Sequence, residues 1–373
     1  MLKRLTARTT VLFSLYFTLL LPSYAAYSET LTNEKINTQV NHYLQSFANP
    51  ETGIGAREAG TAKEQQTIDY IEAKFKKMGL SVNVQSFTFA KNKLTSANVI
   101  ADLNKSHKKT LILAAHLDST AAKLGSDGAI DNATGLAAML AVAENLAALK
   151  TLPYNLRFIA FGAEEVGKLG SKHYVKNLIK ENGSLNNIVA MINLDTVAGG
   201  DFLYVHSAHT TPYKCRGITG SYNSDTHVRD ALFGLSKKLL NEKQQYLIHP
   251  EYKGYPKGVT GSWSDHAPFA CAGVPIAYIE STNFTLNGKD GYDGYSQTDH
   301  ADLWDCFDSD SACERKKEKQ WGHIWHTKSD KLAQLNQLFP HRITDQLNAN
   351  VRVLMRFLRT FNLEENSQSM LNK

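Results

Sequence analysis

Four short apolar runs punctuate the chain: TLILAAHLDS (110–119), YNLRFIAFGA (154–163), NIVAMINLD (187–195) and VPIAYIES (274–281). Each is rich in apolar, often β-branched residues and ends in polar ones, as a strand buried on both faces does where its tip reaches water. The segments between the first three read as helices. NATGLAAMLAVAENLAAL is dominated by Ala and Leu, and GSKHYVKNLIKE carries Tyr174, Val175, Leu178 and Ile179. Upstream, TAKEQQTIDYIEAKFKKMG predicts a helix with Ile68, Ile71, Phe75 and Met78 on one face, Thr61 as its cap and Gly79 as its stop. VNVQSFTFA alternates with one slip, which predicts a strand with a bulge. From about Pro340 a last helix sets Ile343, Leu347, Val351, Leu354 and Leu358 in a core-facing stripe. Strand, polar tip and helix in repetition predict an α/β fold whose mainly parallel sheet is covered on both faces.

The two ends and one interior stretch break the pattern. MLKRLTAR is basic, TTVLFSLYFTLLL is apolar but shorter than a membrane span, and PSYAA supplies small residues, so residues 1–25 read as a signal peptide cleaved after Ala25. Residues 26–373 then form one domain, exported to the periplasm or beyond. Removing Lys3, Arg4 and Arg8 takes the formal charge from +5 to +2. That argues for no nucleic-acid partner and, after cleavage, no membrane surface. An exported chain can form disulfides. Cys306 and Cys313 flank a short polar loop and are the expected pair, Cys215 stands apart, and Cys271 reads as a small buried residue. Residues 281–325 are polar and aromatic, acidic early and basic late, and read as an insertion.

The chemistry lies at the strand tips, where ligands of open parallel sheets bind. RFIAFGAEEVG ends a buried run in two adjacent glutamates, Glu164 and Glu165, which repel each other and resist burial unless something cationic sits beside them. The other tips carry His116, Asp118 and Asp195; Asp131 opens the next helix, and His326 arrives late in WHTKSD. Two imidazoles and several carboxylates suit zinc. Two ions are expected, with His116 and Asp195 on one, Glu165 and His326 on the other, and Asp131 bridging. Asp118 is placed to accept the second ring N–H of His116, and Asp330 that of His326. Glu164 remains free as general base and then general acid.

HLDS, GAIDNATG, AEEVGKLGS, INLD, SDHAPFACAGVP and HTKSD occur in the order found in the co-catalytic zinc aminopeptidases, a family this chain resembles over most of its length. Its relatives include glutamate carboxypeptidase, glutaminyl cyclases and the transferrin receptor ectodomain. The resemblance implies a single α/β domain with a central mixed, mostly parallel sheet and helices on both faces. It also implies a two-zinc metallo-exopeptidase acting on peptide or protein N-termini, a monomer, and a cis bond between Asp131 and Asn132. The same ligands and base are implied. YPKG (255–258), ESTNF (280–284) and GKDGY (288–292) further resemble an exported enterobacterial member that trims N-terminal arginine. With Asp290, Asp293, Asp299, Asp302, Asp305 and Asp308 in the insertion, this predicts a preference for N-terminal Arg or Lys. One position departs: some members carry Tyr three residues before SDH, where this chain has Gly261, leaving Tyr252 and Tyr255 as candidate oxyanion donors.

The competing readings are a carboxypeptidase or glutaminyl cyclase on the same metals, a binding module that has lost its chemistry, and a two-zinc phosphoesterase. A carboxypeptidase needs an arginine for the terminal carboxylate, and none of Arg57, Arg157, Arg216 and Arg229 adjoins a metal motif in sequence. A binding module is expected to lack ligands or base, and all six are present here.

Overall fold

The computed structural model describes residues 32–361 apart from 92, 149–151, 289–293, 309–310, 313–314 and 316. The signal-peptide segment, Asp290, Asp293, Cys313 and the side chain of Asp308 lie outside the described residues. Helices α1 (Asn33–Ala48) and α2 (Ala62–Lys77) come first. The Thr61 hydroxyl accepts the N–H of Glu64 and caps α2, as its sequence predicts. An antiparallel hairpin follows, β1 (Ser81–Phe89) and β2 (Leu94–Leu103). Its register runs unbroken from Ser81–Asp102 to Phe89–Leu94, so the expected bulge is absent. The slip in alternation reflects a strand whose faces are both partly covered.

The remaining elements are β3 (Thr110–His116), α3 (Thr134–Ala147), β4 (Asn155–Phe161), α4 (Leu169–Asn182), β5 (Ile188–Leu194), β6 (Phe202–Ala208), α5 (His227–Leu239), β7 (Val259–Thr260), α6 (His266–Cys271), β8 (Ile276–Thr282), α7 (Leu332–Leu338) and α8 (Arg342–Thr360). One sheet takes the order β1-β2-β4-β3-β5-β8-β6-β7. Its centre, β4-β3-β5-β8, is parallel, and these are the four apolar runs of the sequence. The hairpin and β6 join antiparallel. Helices α1, α3 and α8 pack on one another, and α5 joins them through α8. A second layer packs Tyr174 and Val175 of α4 and Phe269 of α6 against Ile112, Ala114, Ile159 and Phe161. The fold is the expected α/β arrangement, with the parallel tips opening on one crevice.

One pairing is settled here and one expectation is corrected. Cys271 is buried at the end of α6 as expected, and it is bonded to Cys215, a pairing the sequence left open, while Cys306 is also disulfide-bonded. The insertion begins inside a strand, because β8 continues to Thr282. Its root is anchored by Asp201, whose carboxylate accepts from Thr298, Asn283, the Asp299 N–H and Arg342. Among the described residues no helix is long and apolar enough to cross a membrane.

Candidate metal centre

The polar tips converge because each strand is followed by a sharp change of direction. Ala163, Thr196 and His326 all take left-handed backbone angles (φ 53°, 52° and 59°), uncommon for residues with a Cβ and concentrated where function demands them. The Asp131–Asn132 peptide is cis, as the resemblance implies. Asn132 ties two tips together: its Nδ2 donates to Leu194 O at 2.8 Å, and its Oδ1 accepts from the N–H groups of Gly135 (3.0 Å) and Thr196 (3.3 Å). A Cβ at position 135 would lie 2.4 Å from Asn132 Oδ1, so this approach requires glycine.

Five side chains expected to bind metal come together. His116 Nε2 lies 3.1 Å from Asp131 Oδ1 and 3.3 Å from Asp195 Oδ1. His326 Nε2 lies 3.1 Å from Asp131 Oδ2 and 2.9 Å from Glu165 Oε2. These atoms form two groups, His116–Asp131–Asp195 and Asp131–Glu165–His326, each with its members within 4.8 Å of one another and both sharing Asp131. Glu165 Oε1 is buried with no hydrogen-bond partner. Two donor sets of one imidazole and two carboxylates, with an orphaned oxygen, fit a pair of divalent ions such as zinc.

The electrostatics point the same way. Burial alone would strip the proton from His116, but Asp195, Asp118 and Asp131 outweigh it and raise its pKa. His326 is likewise opposed by burial, yet Asp131 and Glu165 push it up to about 11. Burial raises Glu164, eased by His116 and reinforced by Asp265, Asp195 and Glu165. Burial and Asp131 lift Glu165 to about 8. The carboxylates thus hold protons on both imidazoles, and a divalent cation would displace those protons.

Supporting groups differ in part from expectation. Asp118 Oδ1 lies 3.6 Å from His116 Nδ1, farther than its own backbone oxygen at 3.2 Å. Its two carboxylate oxygens instead accept the backbone N–H groups of Glu164 (2.9 Å) and Glu165 (3.1 Å). Asp118 therefore fixes the glutamate pair more than it orients the imidazole. Asp330 accepts from the N–H groups of Ile130 (2.7 Å) and Asp131 (3.4 Å) rather than serving His326. The loop before His326 is held by Gln297, whose Oε1 accepts from the N–H groups of Ile324 and Trp325.

Arg57 was set aside in sequence as remote from the motifs, and it is not remote. It is fully buried and donates to the carbonyls of Leu117, next to His116, of Asp127 and Gly128, shortly before Asp131, and of Gly55 on its own segment. With its donors spent on backbone, it is no clamp for a substrate carboxylate. Two further acids escaped notice. Asp265, in the SDH motif, is pushed by burial up to about 7 and adds to the field on Glu164. Glu280, first residue of ESTNF, lines the site.

A pocket of about 160 Å³ opens over the five candidate ligands and Glu164. The insertion contributes Tyr295, Gln297 and Trp325 to its wall. Among the expected acids, the three whose side chains are described do not line it: Asp305 caps a turn by accepting from the N–H groups of Lys319 and Gln320, Asp299 is tied to Asp201, and Asp302 is exposed. Tyr252 and Tyr255 stack on each other outside the lining; the phenols that line it are Tyr278 and Tyr295. At Gly261 a Cβ would meet the Trp263 ring at 2.2 Å, so an indole fills the space beside that position.

Residues 98–351 match the model of Peptidase family M28. The chain is 32% identical over 284 residues to the alkaline phosphatase isozyme conversion protein of Escherichia coli, covering 70% of this chain and 76% of that one. In structure it resembles a glutaminyl cyclase of Porphyromonas gingivalis (TM-score 0.58, 20% identity, 88% of this chain and 97% of that one). It also resembles a zinc aminopeptidase of Bacillus subtilis (TM-score 0.54, 18% identity, 84% of this chain and 94% of that one). At these identities the structural likeness concerns the fold.

Proposed function

The chain belongs to Peptidase family M28, and on that premise we propose that it is an exported aminopeptidase that removes the N-terminal residue of peptides or proteins with the help of two zinc ions. His116 and Asp195 would hold one ion, Glu165 and His326 the other, and Asp131 both. Zinc bound there supplies Lewis acidity toward the scissile carbonyl and lowers the pKa of water.

The observation that carries the reading is Glu164. It stands at the cluster, belongs to neither metal group, lines the same pocket and has its backbone fixed by Asp118. Its carboxylate takes a proton from the attacking water as oxygen adds to the carbonyl carbon. When the C–N bond breaks, the same carboxyl returns that proton to the leaving amine. A pKa raised by burial suits a group that must hold a proton between the two steps.

Export is supported by the basic, apolar and small-residue order of residues 1–25. The chain acts as a monomer on N-termini, with a preference for Arg or Lys. The test is a panel of aminoacyl anilides with and without chelator. Hydrolysis that is abolished by chelation and restored by zinc is expected; hydrolysis indifferent to chelator, or none with zinc present, refutes the reading.

A further inference from the structure

Resting on the aminopeptidase reading, we propose that Glu280 is the residue that selects a cationic side chain on the first residue of the substrate. Glu280 sits on β8 with its side chain 14% exposed, lining the pocket that holds Glu164 and the metal-binding groups. Trp263, Tyr278, Phe284, Tyr295 and Trp325 supply aromatic walls. A slot walled by rings with one carboxylate beyond Glu164 and the candidate metal ligands matches a guanidinium or ammonium on an aliphatic stem. The rings cover the methylenes and attract the charge, and the carboxylate accepts its hydrogen bonds.

The carboxylate is available for this task because its neighbours are neutral. His206 Nε2 lies 2.8 Å from Glu280 Oε1, and the Tyr278 hydroxyl donates to Oε2 at 3.4 Å. His206 is enclosed by the rings of Tyr204, His249, Tyr278 and Phe284, and burial, with Arg229, lowers its pKa to about 3. It lies against Glu280 without neutralising it. Elsewhere in the molecule buried acids meet permanent cations: Asp102 meets Arg157, and Asp201 meets Arg342. Among the described residues no lysine or arginine pairs with Glu280. Burial, with Asp195 nearby, lifts Glu280 to about 8, so the acid keeps its proton in the empty slot and releases it when a cation enters. An arginyl or lysyl side chain supplies that cation and the carboxylate then pairs with it. A leucyl side chain in the same slot offers the acid group no partner, so the pocket selects against it as well as for its rivals.

The test uses the zinc-loaded protein, wild type and Glu280→Gln, with arginyl, citrullyl and leucyl anilides. Citrulline keeps the shape of arginine without its charge. Wild type is expected to favour arginyl over citrullyl substrate in kcat/KM by about tenfold to a hundredfold, the effect of one charge-assisted hydrogen bond. Glu280→Gln is expected to bring that ratio close to unity. A wild-type ratio near unity overturns the inference. So does a variant that slows all three substrates by one common factor, which would make Glu280 an anchor for the α-ammonium or a packing group. Should Glu280→Gln not fold, Glu280→Asp withdraws the charge by one methylene, and an unchanged ratio there is equally fatal. Cleavage of leucyl but not arginyl substrate sinks this inference alone. No cleavage of any of the three removes the aminopeptidase reading, and the inference with it.

Discussion

Replacing Arg57 by methionine tests whether the metal-binding tips rest on one buried guanidinium. Four hydrogen bonds run from its side chain to backbone carbonyls: Nη2 to Gly128 at 2.8 Å, Nε to Leu117 at 2.9 Å, Nη1 to Asp127 at 3.2 Å and Nη1 to Gly55 at 3.4 Å. Only the first two are near-optimal, and with a charged donor each contributes about 1.5–3 kcal/mol net. Their loss costs about 3–6 kcal/mol and leaves carbonyls buried without donors. The methionine stem and the relief of a buried charge return roughly 1–2 kcal/mol. A net destabilisation of about 1–5 kcal/mol remains, which at about 2 °C per kcal/mol for a chain of this size lowers Tm by about 2–10 °C. Arg57→Lys is expected to lose nearly as much, because one ammonium cannot address carbonyls on two segments at once. Thermal and urea unfolding with excess zinc measure this. A loss below about 1 kcal/mol in Arg57→Met would show that those carbonyls do not depend on the guanidinium.

Glu164→Gln is expected to retain two zinc ions per chain and lose about 10²–10⁴ in kcat, whereas Glu165→Gln loses an ion; metal analysis beside kinetics separates them, and loss of zinc with an intact rate in the Glu164 variant reverses the roles. Glu64, buried beneath Ala163 and hydrogen-bonded to Ser96 and Gly60, has its pKa raised from 4.5 to about 7, burial being the main cause. A folded pKa above the unfolded one means a stabilising contribution that is complete below about pH 4.5 and lost as pH rises through 7. Relative to wild type, Glu64→Gln should therefore gain up to about 3 kcal/mol across that window, at about 1.4 kcal/mol per pH unit; a parallel pair of stability curves contradicts it. Replacing both Cys215 and Cys271 by Ser opens a bridge across 56 residues and should cost about 2–4 kcal/mol in denaturant unfolding, with no loss meaning that the bridge is not formed in solution.

The parallel centre of the sheet was legible because strands buried on both faces leave unbroken apolar runs. The clustering of the candidate metal-binding residues was legible because their chemistry is concentrated at the ends of those runs. β2 was not, since Ser96 and Asn98 lie buried within it, satisfied by Glu64 and by the backbone of Gly162 and Gly170. Such polar positions read as surface until their partners are known. Arg57 was passed over for a related reason: its partners are carbonyls, which every residue possesses and no motif records. Asp299, Asp302 and Asp305 of the insertion stand outside the pocket lining: charge in a loop does not tell where the loop folds. Glu280, inside an apolar strand, was the more informative acid, and it lay in a stretch already singled out for resemblance.

The residues that gather at the metal centre come from distant parts of the chain. Asp330 reaches the backbone of Ile130 across 200 residues, and His326 beside it completes the second group of ligands. Nothing local can assemble this centre. A chain still being synthesised, or truncated before residue 326, possesses His116, Asp131, Glu165 and Asp195 but lacks the imidazole of the second candidate group. Loop closure over so long a span is slow and comes late. If the proposed aminopeptidase reading holds, hydrolytic competence would arrive only once His326 has joined the centre, and an unfinished molecule would carry little capacity to attack its neighbours' N-termini.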